Sequence, residues 1–238
     1  MIKLTNALGA EKILPLTMSF RRVPLEIDVP SQPLLGLDGD AVTGKPTLRP
    51  RQFVLDGRIY YPGDKDRIER ELDSILSFLM HPPIEVYRHH THDRFLRAHA
   101  LGAPQDWIDL GAELSLQIPM IAHDPYWLGP EVEVTVTGTQ TITVDGTAPT
   151  YPLITTASSV SSLVASNALT GKEVAVSGAT GVIEVDCDER NLSVTVGGVN
   201  RIDLIDDDWV LHSWALLPGE NQITTNTPVT LVYRPRWY

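Results

Sequence analysis

The sequence predicts a mainly β protein with a single α-helix, organised as two domains. Three observations carry this expectation. Short segments in which apolar and polar residues alternate recur along the chain, separated by Gly, Pro, Asp and Asn. One stretch only, residues 64–81, has helical periodicity. Beyond residue 128 the composition shifts to alternating Val and Thr, with Ser, Thr, Gly and Ala dominating residues 146–182.

Residues 12–28 mix apolar and polar positions with β-formers and read as one or two strands. Residues 29–50, VPSQPLLGLDGDAVTGKPTLRP, are rich in Pro, Gly and Asp. A stretch of that length inside a compact domain reads as an arm, a binding loop or a hairpin extension. In RQFVLDGRIYY, residues 51–61, Asp56-Gly57 is a hairpin-turn signal and predicts a strand pair, Phe53-Val54-Leu55 with Ile59-Tyr60-Tyr61. The helix is expected over about residues 65–80, with Ile68, Leu72, Ile75, Leu76 and Leu79 on one face. Asp64 is placed to cap its N-terminus, Asp66 complements the helix dipole, and His81-Pro82-Pro83 ends it.

Strands are then expected at Ile84–Tyr87, Arg94–Ala98 and Trp107–Ile121. In the last, Leu114, Leu116 and Ile118 alternate with Ser115 and Gln117, the two-residue period of a half-buried strand. The segment HDPYWLGPEV, residues 123–132, reads as the junction between a domain of residues 1–127 and one of residues 128–238. In the second domain EVEVTVTGTQTITVDG, VIEVD, LSVTV, RIDLI and PVTLVYRP read as short strands. Strands at roughly 8–12-residue spacing predict a β-sandwich or jelly roll.

The totals exclude several function classes. Of 238 residues, 19 are Lys or Arg and 30 are Asp or Glu, a formal net charge of −11. A general nucleic-acid binder needs clustered cations to neutralise phosphate, which this balance does not supply. Residues 1–127 hold 14 basic and 17 acidic residues, net −3; residues 128–238 hold 5 and 13, net −8. Most of the acidity therefore lies in the second domain, as on a solvated surface or one that repels polyanions. The single cysteine, Cys187, rules out an intrachain disulfide and suits a reducing compartment. The N-terminal residues lack the pattern of a signal peptide, and no apolar run approaches the ~20 residues of a membrane span, so membrane insertion is not expected.

Three constellations invite chemistry. His89, His90, His92 and His99, with His81 and Asp93 nearby, have ligand types that suit Zn²⁺, but strand alternation splits them between faces and their spacing matches no metal motif; HHTHD reads as an exposed turn. Asp186, Asp188 and Glu189, and the run Asp206-Asp207-Asp208, offer oxygen ligands for Ca²⁺ without the glycine and closing glutamate of a calcium loop. Trp209, Trp214, Tyr233 and Trp237 suit a sugar platform, yet a sandwich core uses the same residues. No nucleophile elbow, Walker A loop, dinucleotide fingerprint, HExxH or CxxC is present. No catalytic, cofactor-binding or metal residue is assigned, and no cofactor is expected.

Two stretches resemble one family. The first is RPRQFVLDGRIYYPGDKDRIERELDSILSFL, followed by the strand AELSLQIPMIAHDPYW. The second runs from NRIDLIDDDWVLHSWALLPGENQITTN to VTLVYRPRWY. Their order is similar to that of the distal tail protein family of long, non-contractile phage tails. The resemblance implies an N-terminal belt domain with one helix and a projecting arm at about residues 29–50. Six copies would form a ring around a DNA channel. The ring would stack on the tail-tube protein and on the hub protein of the tail tip, and DNA would pass without specific binding. The C-terminal domain would be a galectin-like or jelly-roll sandwich that docks receptor-binding or side-fibre proteins, its last strand returning towards the first domain. The family implies a structural component of the virion tail tip, assembled in the host cytoplasm, and no enzyme. Two other functions are carried alongside it: a carbohydrate-binding adhesion module using Trp209 or Trp214, and a glycan-cleaving tail enzyme with two carboxylates ~5–9.5 Å apart.

Overall fold

The structure is a computed structural model that describes residues 1–14, 17–22, 26–33, 40–42, 47–90, 92–102, 105–107, 113–188, 190–205 and 214–238. Contacts divide the chain into two compact units, Met1–Trp127 and Leu128–Tyr238.

The first unit contains β1 (Lys3–Thr5), β2 (Glu11–Ile13), β3 (Ser19–Arg22), β4 (Ile27–Asp28), β5 (Ser31–Pro33), β6 (Asp40–Val42), β7 (Thr47–Leu48) and β8 (Arg51–Tyr60). Helix α1 (Lys65–Leu79) follows, then β9 (Ile84–Tyr87), β10 (Phe95–Ala100), β11 (Gln105–Trp107) and β12 (Glu113–Ala122); β13 (Trp127–Leu128) lies at the unit boundary. The strands pair in the order β2-β1-β9-β10-β12-β8-β3, with β11 also on β12. β10 gives Phe95–Ala98 to β9 and His99–Ala100 to β12, so one strand serves two partners in succession.

The backbone of this unit is the β8–β12 ladder, ten antiparallel pairs from Arg51↔Ala122 to Tyr60↔Glu113. Period-2 alternation sends Phe53, Leu55 and Ile59 of β8 and Leu114, Leu116, Ile118 and Met120 of β12 into the interior. The helix closes over apolar surface with Ile68, Ile75, Phe78 and Leu79; Leu72 and Leu76 are half-buried. Asp64 caps it as expected, its carboxylate accepting the Arg67 N–H at 3.0 Å.

The expected hairpin at Asp56-Gly57 does not form. β8 runs straight through it, with Asp56 opposite Gln117 and Gly57 opposite Leu116. Glycine is required here by crowding. A Cβ at residue 57 would lie 2.6 Å from Met18 Cγ and 2.8 Å from the Thr17 carbonyl oxygen, and the Thr17 hydroxyl bonds to the Arg58 carbonyl. Gly57→Ala is therefore expected to cost about 1–3 kcal/mol by overpacking, read as a lowered urea midpoint; an unchanged midpoint would show that residues 17–18 move away freely. Two further expectations are corrected. Trp107–Ile121 is not one strand: β11 and β12 pair antiparallel, Trp107 opposite Ser115. RIDLI is a 3₁₀ turn at Ile202–Leu204, where the Asn200 side chain accepts the Ile202 N–H at 3.2 Å and breaks the extended run.

The second unit contains β14 (Val132–Val136), β15 (Thr139–Val144), β16 (Leu153–Thr156), β17 (Val160–Asn167), β18 (Lys172–Gly181), β19 (Ile183–Asp186), β20 (Ser193–Val196), β21 (Val199–Asn200), β22 (Gly219–Thr225), β23 (Val229–Tyr233) and β24 (Arg236–Trp237). β14 to β23 form a six-stranded sheet, β14-β23-β16-β19-β20-β21, and a four-stranded sheet, β15-β22-β17-β18. Inward residues of both sheets make one core, including Ile154, Val185, Val194 and Leu231 from the first and Ile142, Leu163, Val176 and Ile223 from the second. This is the expected β-sandwich.

Candidate functional site

In the first unit the element without a counterpart in the packed sheet is the segment between β3 and β8. Its described residues form a ladder in two steps. Ile27 and Asp28 of β4 pair with Leu48 and Thr47 of β7, and Ser31, Gln32 and Pro33 of β5 pair with Val42, Ala41 and Asp40 of β6. Each step is a two-stranded sheet with no third strand among the described residues. At its base Arg49 lies 3.7 Å from Glu26 and 3.4 Å from Asp28, and the Arg49 N–H donates to the Glu26 carbonyl at 3.0 Å. These ion pairs are more than half exposed and contribute little to stability. Ile27 and Val29 are 60% and 45% exposed. An isolated two-stranded hairpin is marginal in water.

The ends of the strand order are also open. β2 and β3 each have one partner strand among the described residues. Bare edges of this kind are templates for pairing with another chain unless a neighbour covers them. Arg21, at the β3 edge, is exposed; Arg49 pairs with the arm's own carboxylates, and Arg51 is half-buried.

The sequence candidates for chemistry separate once their partners are seen. His89, His90 and His92 gather at one turn, with ring centroids 4.4 Å apart for His89–His90 and 5.5 Å for His89–His92. The His92 N–H donates to the His89 carbonyl, and the His90 N–H to the Met1 carbonyl. His99 is elsewhere, beside His123. Desolvation, then the nearby N-terminal ammonium and the other two imidazoles, hold His89 below the usual histidine range. Among the described residues no group of three His, Cys, Asp or Glu side chains is placed to hold a metal ion.

The Asp186–Asn191 turn spends its carboxylates on itself. Asp186 accepts from the Asp188 N–H at 2.9 Å and from the Asn191 amide at 2.6 Å. Asp188 accepts from Arg190 Nε at 2.9 Å, Arg190 Nη2 at 2.6 Å and the Arg190 N–H at 3.0 Å. Burial alone would raise the Asp188 carboxyl, but the Arg190 side-chain and backbone hydrogen bonds and its charge together hold it below the ordinary carboxylate range. A depressed folded-state value stabilises the fold at pH above the unfolded value and is lost as pH falls through the folded one. Arg190→Ala is therefore expected to lower the denaturation midpoint at neutral pH, with the gap to the parent chain narrowing as acidification protonates the Asp188 carboxylate; a gap unchanged on acidification would contradict the assignment. Glu189 and Asp206-Asp207-Asp208 lie outside the described residues.

Trp214 is fully buried, and its Nε1–H donates to the Ala165 carbonyl at 3.1 Å. It is a core residue and offers no face to a sugar; Tyr233 is buried in the same core, Trp237 is half-buried, and Trp209 lies outside the described residues. The turn Leu217-Pro218-Gly219-Glu220-Asn221-Gln222-Ile223 shows what its motif is for. Asn221 is wholly buried and fully bonded: its amide donates to the Leu217 carbonyl (2.7 Å) and the Gly219 carbonyl (3.1 Å), and its oxygen accepts from the Leu217 N–H (2.9 Å) and the Asn167 amide (3.0 Å). The function of this turn is architectural. Sequence reading singled out the motif but not Asn221 or Asn167, because nothing in a single sequence separates a buried asparagine from a turn asparagine.

Comparison with known proteins gives the following. Residues 145–237 match the family model for the siphovirus-type tail component, C-terminal domain. No curated protein matches the chain. Over 100% of both chains, the fold is similar to the crystal structure of SPP1 Dit (gp 19.1), described as a paradigm of hub adsorption apparatus in Gram-positive infecting phages, with 17% identity and a TM-score of 0.74. It is also similar, with 9% identity and a TM-score of 0.51, to a chain of the phage p2 baseplate in its activated conformation with Sr, covering 98% of this chain and 97% of that one. The resemblance to the distal tail protein family read from the sequence is borne out, and so is the mainly β fold class.

Proposed function

We propose that this chain is the structural hub of a long-tailed phage tail tip, built as a closed ring of six copies that joins the tail tube to the tip or baseplate proteins. The single observation that carries the ring is the two-stranded segment between β3 and β8, with exposed Ile27 and Val29, beside a sheet whose end strands β2 and β3 each have one partner strand among the described residues. A head-to-tail contact repeated around an axis supplies each copy with the cover it lacks and leaves no open edge. The tail-component family match over residues 145–237 and the whole-chain likeness to SPP1 Dit support the same reading.

In this reading the first domain forms the ring, with the tail-tube protein on one face and the hub protein on the other. The sandwich faces outwards and docks receptor-binding or side-fibre proteins. DNA crosses the channel without specific contacts, which the net charges of −3 and −8 for the two halves favour through repulsion of phosphate. The work is structural rather than enzymatic. Immunogold labelling of intact tails tests the placement: label at the distal tip is expected, and label along the tube or its absence from the tail would overturn the reading.

A further inference from the structure

Open sheet edges in natural proteins are blunted by charge, proline, a bulge or shortness, because a row of unpaired N–H and C=O groups invites another strand. Most open ends among the described residues follow this rule. β2 carries Glu11 and Lys12, β3 carries Arg21 and Arg22, β14 carries Glu133, and β21 has two residues. β18 is met by Ile205 at Val176, and its register against β17 shifts between Val160 and Ser162. β15 departs from the rule. It pairs with β22 alone among the described residues, and its six residues, Thr-Gln-Thr-Ile-Thr-Val, hold no charge, proline or glycine. Ile142 and Val144 anchor it in the core, while Thr139, Gln140, Thr141 and Thr143 are exposed.

The phase of the ladder shows which backbone groups are free. The Thr225 N–H donates to the Gly138 carbonyl at 2.9 Å, and this pair continues the register of Thr139↔Thr224. In an antiparallel ladder, bonded pairs alternate with non-bonded ones. Gln140, Ile142 and Val144 therefore bond to β22, and Thr139, Thr141 and Thr143 turn their N–H and C=O groups to the open side. An extended chain satisfies such a row by main-chain bonding. Neighbouring side chains set its charge. Exposed Glu220 lies opposite Thr143, and exposed Asp145 follows β15 directly; neither takes part in an ion pair among the described residues. With residues 128–238 at net −8, a second copy is repelled and a cationic strand attracted. We propose that β15 is an acceptor edge for an extended segment of another tail-tip protein that carries Lys or Arg, which adds a strand to the four-stranded sheet. The acceptor rests on the hub reading above for the source of that segment, and names the surface by which the sandwich docks it.

Site-resolved hydrogen exchange on the full chain tests it, with a short peptide of alternating lysine and valine as the probe. Without peptide, the Thr139, Thr141 and Thr143 amides are expected to exchange fast and those of Gln140, Ile142 and Val144 slowly; with peptide, the three threonine amides become protected. The same peptide with proline in place of valine keeps the charge but loses half of its N–H donors, and is expected to protect nothing. Equal protection by both peptides would reduce the contact to charge attraction and overturn the proposal. No protection by the valine peptide overturns it too, as does protection that rises with protein concentration alone, which would make the occupant a second copy. Thr141→Pro removes a donor on the open side only and is expected to weaken peptide binding about tenfold or more with the melting temperature unchanged. Thr141→Lys, which blunts the edge with a charge, gives the same loss and serves as the readout should the proline variant fail to fold. Thr155→Lys places that charge on β16, which is paired on both sides, and leaves binding unchanged; equal effects of the two lysines would also overturn the acceptor edge. Absence of peptide binding leaves the hub reading standing, because the gold label tests that separately; a label away from the tip overturns the hub reading and with it the tail-tip source of the strand.

Discussion

Asn221→Ala is expected to lower the unfolding free energy by about 2–5 kcal/mol, because it strands several buried polar groups at once at about 1–3 kcal/mol each. The parent side chain uses both amide hydrogens and both lone pairs of its oxygen, so no hydrogen-bonding capacity is idle. Its loss leaves the Leu217 N–H and carbonyl and the Gly219 carbonyl without that partner, and removes one of the two acceptors of the Asn167 amide; the Ala215 carbonyl at 2.9 Å remains the other. Asn167 is itself fully buried and also accepts the Leu169 N–H, so the damage reaches the β17–β18 turn. Urea denaturation followed by circular dichroism checks this, and a cost below about 1 kcal/mol would mean that water replaces the side chain.

Trp214→Ala is expected to cost about 3–5 kcal/mol, the range for truncating a buried tryptophan. Trp214 is the largest of the fully buried side chains and packs in the core shared by the two sheets of the sandwich. Trp214→Phe separates the two contributions. It keeps most of the apolar volume but leaves the Ala165 carbonyl without the indole donor, so about 1–3 kcal/mol of the loss should remain. If Trp214→Ala were neutral and instead abolished binding to a glycan, the indole would be a ligand platform and not a core residue.

Much of the fold is visible in the sequence because it rests on periodicity. The alternation in residues 113–122 places Leu114, Leu116, Ile118 and Met120 inward, and Ile68, Ile75 and Leu79 mark the buried face of α1. Asp64 is legible because a cap is a local device. What is not legible depends on approach from far along the chain. Asp56-Gly57 has the residues of a turn, but the glycine is there because residues 17–18 cross over it. Asn221 sits in a turn motif, yet its partner Asn167 is 54 positions away. The histidines at 89, 90 and 92, which strand alternation would split between faces, gather at a turn, and among the described residues no group of three His, Cys, Asp or Glu is placed to hold a metal ion. The segment of residues 29–50 lies between these cases: its Pro, Gly and Asp content predicts an arm, a binding loop or a hairpin extension, and only the structure shows β4 paired with β7 and β5 with β6.

Those two-stranded steps, with no third strand among the described residues, are the reason to expect neighbours. The most direct measurement is native mass spectrometry of the full chain beside a variant in which residues 29–46 are replaced by a short glycine linker. The full chain should be found at six times the 26.3 kDa protomer mass, and the shortened chain as a folded monomer with its circular dichroism retained. A full chain that stays monomeric, or a shortened chain that still closes into six, would contradict the assembly described above.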